Sequence, residues 1–174
     1  MPVKFNVEDN IVYPLQGVGV IESTFEREMK GENVLYFKLK MQESGMFISI
    51  PAKNAESMGL RKVIKKKDIT QILKDLTVFP NDIEENWKLR YQENIDKLKS
   101  GSIDSIVIVV KELFVRNKIK NLSIMERKQF ESAFKMLVKE ISLASKSSEE
   151  DANNLVSEKL DILAEMQEKK TGSK

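Results

Sequence analysis

The sequence predicts an α+β protein, with a small N-terminal β-barrel followed by a compact C-terminal all-α bundle of about five helices. Three observations predict it. Up to about residue 51 the apolar residues fall in short runs broken by turn residues, and beyond about residue 68 their period changes from two to 3.6. Between them Arg61 to Lys67 forms a basic connection that includes Lys65-Lys66-Lys67. The 174 residues, 41% hydrophobic, are enough for one ordinary domain or two small ones. The expected division is a barrel over 1–60, a helical domain over 61–168 and a disordered, charged tail over 169–174.

The strands come first. Asn10 to Tyr13, Gly19 to Phe25, Val34 to Lys40 and Met46 to Ile50 are each short and rich in β-branched or aromatic residues. Pro14 stops the first, Gly17 and Gly19 open the second, Lys30-Gly31-Glu32-Asn33 makes a hairpin turn, and Ser44-Gly45 makes another. So few strands bury little on an open sheet, and closure into a barrel of the SH3 or Tudor type removes the exposed edges. Gly17-Val18-Gly19 is no dinucleotide loop, because Glu22 stands where that fingerprint needs glycine and no helical pattern follows. Glycines that permit close backbone approach are the simpler account.

One helical turn spans Asn54 to Gly59. Beyond the connection, Asp68 is placed to cap a helix bearing Ile69, Ile72, Leu73 and Leu76, which Phe79-Pro80 ends. A second helix runs to Ser100-Gly101. Ser102 with Asp104 opens a third, striped by Ile103, Ile106, Val107, Val110, Leu113 and Phe114; its β-branched residues leave a strand possible, and length favours the helix. Ser123 and Glu126 form a capping box for a long helix lined by Phe130, Phe134, Leu137, Val138 and Ile141. Ser148 with Asp151 begins the last, with Val156, Leu160 and Leu163 facing inward. The paired acids Glu84-Glu85 and Glu149-Glu150-Asp151 read as helix-start residues favoured by the helix dipole.

The chain's one tryptophan lies at the start of the second helix, which Asp82 and Glu85 are positioned to cap. Trp87, Tyr91, Ile95 and Leu98 share 3.6-residue spacing, and spacing alone favours a buried stripe. The alternative is a first-turn indole projecting past the helix end as a wedge against a base step, with Lys88 and Arg90 beside it to hold phosphates. On a helical wheel Arg90 and Lys97 lie opposite the apolar stripe. Arg116, Lys118 and Lys120, read as a connection between helices that continues to Arg127-Lys128, offer further phosphate contacts. An ordinary exposed basic loop is the competing account.

Composition excludes much chemistry. With no cysteine and no histidine, disulfides, thiol catalysis, thiolate metal sites and the commonest general base are all absent. Neither a Walker loop, nor a serine elbow, nor a calcium loop, nor a zinc ligand set is found, so no enzyme, cofactor, metal or small-molecule substrate is expected. No signal-peptide pattern opens the chain and no run is long enough to span a bilayer, so a cytoplasmic, nucleoid-associated protein without membrane contact is expected. Residues 62–141 carry 17 basic and 12 acidic side chains, a net of +5, against −1 for residues 1–61 and −2 for 142–174. That modest excess suits a protein held at DNA by something else.

Several stretches resemble a known family. Val12-Tyr13-Pro14-x-x-Gly17-x-Gly19-Val20-Ile21, Lys30-Gly31-Glu32 and Ile50-Pro51-Ala52-x-Asn54-Ala55-x-x-x-Gly59-x-Arg61 are similar to the signature of the CarD family of bacterial transcription regulators. The same barrel is similar to the RNA-polymerase-interacting domain of transcription-repair coupling factor. In the helical part, Asn86-Trp87-x-x-Arg90-Tyr91-x-x-Asn94-x-x-Lys97-Leu98-x-Ser100-Gly101, Val109-Val110-x-x-Leu113 and Leu122-Ser123-x-x-Glu126 extend it to about residue 145.

The resemblance implies a non-catalytic regulator that binds the RNA polymerase β subunit through a barrel strand edge and stabilises the promoter open complex. It implies polymerase contacts at Arg27, Met29, Ile48 and Ser49, although Ser49 stands where many relatives have arginine. It implies that Trp87 enters the minor groove of promoter DNA at the upstream bubble edge; Leu89 and Gln92 replace basic residues found there in relatives. A binding module for ribosomal or other RNA, or a protein adaptor with a small barrel, is the rival reading.

Overall fold

The computed structural model describes residues 4–172. They form two compact units that divide between Val63 and Ile64. The barrel-like unit contains β1 (Asn10–Tyr13), β2 (Gly17–Met29), β3 (Glu32–Met41), β4 (Phe47–Pro51) and β5 (Arg61–Lys62). All pairs are antiparallel, in the order β4-β3-β2-β1-β5. β5 lies within the stretch read as a basic connection. Backbone pairing of Val12 with Arg61 and Ile11 with Lys62 makes it a strand instead.

The hairpin of β2 and β3 is longer than the apolar alternation suggested, because polar residues continue both strands past Phe25 and Val34 to a two-residue turn. Lys30 and Gly31 both have positive φ there, at 54° and 82°, as a type I′ turn requires. A register shift between Ile21 and Ser23 bends β2, and such a bulge curls a sheet around its core. Ile11, Ile21, Leu39, Met41 and Ile50 fill the interior. The simpler account of the glycines holds: a Cβ on Gly19 would come within 2.9 Å of the Lys40 carbonyl oxygen.

The second unit contains α1 (Ile69–Asp75), α2 (Trp87–Lys99), α3 (Ile103–Ile119), α4 (Ile124–Ser145) and α5 (Glu149–Thr171). α3 is the centre, packing against all four other helices, and its Val109, Val110 and Leu113 are fully enclosed. Its β-branched residues do not make it a strand, because burial on several sides outweighs a propensity of a few tenths of a kcal/mol per residue. Ser102 accepts the Ser105 amide at 3.1 Å, and Ser148 accepts that of Asp151 at 3.0 Å.

Three expectations are corrected. Asp68 stands at the N-cap position of α1 but its side chain caps no amide of that helix; its carboxylate accepts the Lys65 amide ahead of a short 3₁₀ turn, Lys66–Asp68. Asp82, in a left-handed conformation, does not cap α2. α5 continues to Thr171, so the tail expected over 169–174 begins as helix, and Ser173 and Lys174 lie outside the described residues. Among the described residues no helix is long and apolar enough to cross a membrane.

Candidate functional site

Asn86 caps α2, its Oδ1 accepting the Lys88 amide at 3.0 Å. Glu84 Oε1 in turn accepts the Asn86 amide at 2.8 Å, so the neighbouring acids act ahead of the helix and not within its first turn. Trp87 is therefore the first helical residue, where no preceding turn covers it, and it is 45% exposed. Lys88 Nζ lies 5.8 Å from the centre of its ring.

The buried stripe of α2 is Arg90, Asn94 and Leu98. It is not the stripe through Trp87, Tyr91 and Ile95, which are exposed or half-buried. Arg90 occupies the inward face because it finds an ionic partner there, whereas the Asn94 side-chain nitrogen is buried without a hydrogen-bond partner among the described residues. Arg90 Nε and Nη2 donate to Glu126 Oε1 at 2.7 and 2.6 Å, and Asn94 Oδ1 accepts from Lys97 Nζ at 3.3 Å. Arg90 is 3% exposed and cannot reach a phosphate. That corrects its expected role: the position read as solvent-facing is internal.

Lys97 is half-buried and pairs with Glu112 at 2.8 Å. Arg116 is largely covered, with Nη1 3.8 Å from Glu85 Oε2. The span from Arg116 to Lys118 is the last turn of α3 and not a connection, and Lys118 Nζ sits 5.3 Å over the Phe114 ring. Exposed cations at this end of the bundle are Lys88, Lys118, Lys120, Arg127 and Lys128.

The Arg90–Glu126 pair brings the starts of α2 and α4 together. At the start of α4, Ile124 is 76% exposed, with Met125 also exposed and Ile119 exposed on the last turn of α3. Sequence reasoning missed these three. Their signal was phase, since Ile124 and Met125 fall outside the stripe that runs from Phe130 to Ile141. Leu89, noted only as a departure, is exposed as well.

The barrel carries the second candidate surface. Residues paired across a sheet face the same side. The pairs Phe25–Tyr36, Arg27–Val34, Met29–Glu32, Lys38–Ser49 and Lys40–Phe47 therefore define its outer face. Phe25 and Tyr36 stack at 5.4 Å, and Lys38 Nζ lies 4.3 Å over the ring of Phe47, which is 53% exposed. A shallow depression of about 400 Å³ is lined by Met29, Val34, Tyr36, Pro51 and Lys53, among others. Arg27, Met29 and Ser49 belong to this face. Ile48 does not: opposite Leu39 it packs on the core, correcting its expected place among the contact side chains. β4 forms one border of the sheet.

Among the described residues, Asp9 has a carboxyl shifted from its ordinary pKa. Burial raises its carboxyl pKa, but the hydrogen bond from Lys62, the Asn6 amide and the Lys62 charge together bring it below the ordinary value. The pair, 2.9 Å apart, fastens β5 beside β1.

A barrel-like module with Phe47 exposed beside Lys38 and a helical module with Trp87 exposed beside Lys88 define a protein of two domains, each with an aromatic residue and a cation on its surface. Residues 5–64 match the family model described as CarD-like/TRCF RID domain, and residues 68–157 match CarD, C-terminal domain. The chain belongs to the CarD family. It is also 33% identical over 142 residues, 80% of this chain and 91% of the relative, to a Bacillus subtilis (strain 168) protein named "Putative transcription factor YdeB". A transcription-related role follows from these matches.

Proposed function

We propose that this protein is a non-catalytic transcription regulator that docks on the RNA polymerase β subunit and stabilises the promoter open complex. The barrel docks by adding a partner strand to the border of β4, and Arg27, Met29 and Ser49 flank the junction on the outer face. The helical module holds promoter DNA at the upstream edge of the bubble, with the Trp87 indole in the minor groove and Lys88, Lys118 and Lys120 on nearby phosphates. Ile124 and Met125 extend the apolar contact. Such a protein works at the nucleoid.

The observation that carries the reading is the half-exposed indole at the first position of α2, with Lys88 beside its ring. An aromatic wedge against an intact step must supply a few kcal/mol of unstacking, whereas at a bubble edge that cost has already been met. The contact therefore favours the open state. A preference of about 1 to 2 kcal/mol shifts the equilibrium roughly five- to thirtyfold. Docking raises the local concentration, which lets a weakly basic domain act without tight DNA affinity of its own.

The test uses purified polymerase and a promoter whose open complexes are timed after a competitor is added. Trp87→Ala shortens their lifetime while leaving co-sedimentation with polymerase intact; Arg27→Glu weakens co-sedimentation, and its lifetime defect is recovered at high protein concentration. Recovery of ribosomal components or of an unrelated single partner in place of polymerase would refute the proposal.

A further inference from the structure

We propose that Arg90 is a positioning residue for Trp87, acting through the segment that leads into α2. The inference rests on the reading of Trp87 given above and adds what holds the indole in place. One guanidinium joins three parts of the bundle. Nε and Nη2 take Glu126 Oε1, while Nη1 donates to the carbonyl oxygens of Glu84 and, at 3.1 Å, Glu85. Those carbonyls lie immediately before the cap Asn86. The other Glu126 oxygen accepts the Ser123 amide at 3.1 Å and the Ser123 hydroxyl at 2.9 Å, closing the capping box of α4.

A buried ion pair of this kind is poorly accounted for by stability. Desolvating both ions offsets most of their attraction, and apolar residues of similar volume often do as well. What a guanidinium supplies that apolar residues cannot is direction, because its planar fork fixes several acceptors at once. Here the acceptors belong to an irregular segment, and helix starts are where the backbone frays. With the carbonyls of Glu84 and Glu85 held from inside the bundle, Asn86 keeps its capping geometry and Trp87 keeps one outward direction. Without them the indole samples many directions, and each productive contact with separated strands must first restrict it.

The protein has a single tryptophan, so its fluorescence anisotropy and quenching by acrylamide report Trp87 alone. Arg90→Lys keeps the charge facing Glu126 but loses the fork that reaches both carbonyls. The paired variant Arg90→Met with Glu126→Leu removes the clamp and leaves no unpaired buried charge. In both, circular dichroism should show the helices retained, while anisotropy falls and quenching rises. The open-complex lifetime should drop about tenfold toward that of Trp87→Ala, equivalent to about 1.4 kcal/mol.

Folded variants with unchanged anisotropy would overturn the inference, as would a freer indole that leaves the lifetime intact where Trp87→Ala shortens it. Failure of both variants to fold would also overturn it, making the pair structural. If Trp87→Ala itself leaves the lifetime unchanged, the DNA reading fails, while anisotropy still decides whether Arg90 holds the indole.

Discussion

Replacing Trp87 by alanine separates a surface indole from a core one by the stability it removes. A tryptophan that is largely buried covers roughly 150–250 Å². With 45% of the residue exposed, about half that area is covered, worth roughly 2–3 kcal/mol at roughly 25 cal/mol/Å². Alanine retains part of the contact and has the better helix propensity, which brings the loss to about 1–2 kcal/mol. Leu113, fully enclosed in α3, is the comparison, because truncating such a leucine costs about 2–5 kcal/mol. Urea unfolding followed by far-ultraviolet circular dichroism reads the helices directly. With a slope of about 1–3 kcal/mol per molar, the Trp87→Ala midpoint should move by roughly 0.3–2 M, and at the same slope by clearly less than that of Leu113→Ala. Equal losses would place the indole in the core and refute the surface argument.

Two further outcomes concern the barrel. Lys30 occupies a left-handed turn position beside Gly31, so Lys30→Asn, which suits a type I′ turn, should stabilise the barrel by up to about 1 kcal/mol; an unchanged urea midpoint would count against that turn. Asp9 is held below its ordinary pKa in the fold, despite burial, by Lys62 and the Asn6 amide. The stability it contributes is therefore present above the ordinary carboxylate range and is lost as pH falls through the lowered value. In Asp9→Asn the thermal midpoint of barrel resonances should depend less on pH across that window, and an unaltered dependence would refute the linkage.

Element order was legible because it follows from local rules. Alternation marked the strands, and the serine caps Ser102, Ser123 and Ser148 were correct because each needs only an amide two or three residues away. Less legible was whatever depended on partners distant in sequence. β5 has two residues and no pattern of its own, and exists because β1 offers it hydrogen bonds. At the candidate site the sequence proposed Trp87, Lys88, Lys118 and Lys120, which the fold leaves exposed, and also Arg90, which it buries, because a charge is ordinarily solvated.

From the residues alone came the α+β order, the absence of thiol and imidazole chemistry, and the motifs of a transcription-regulator family. The tertiary structure decided which faces those residues occupy. Periodicity sorts a helix into apolar and polar sides, but it cannot show that a carboxylate 36 positions away waits beneath an arginine. Once Glu126 compensates Arg90, the polar side of α2 turns inward, and the tryptophan that spacing had assigned to the core is left at the surface.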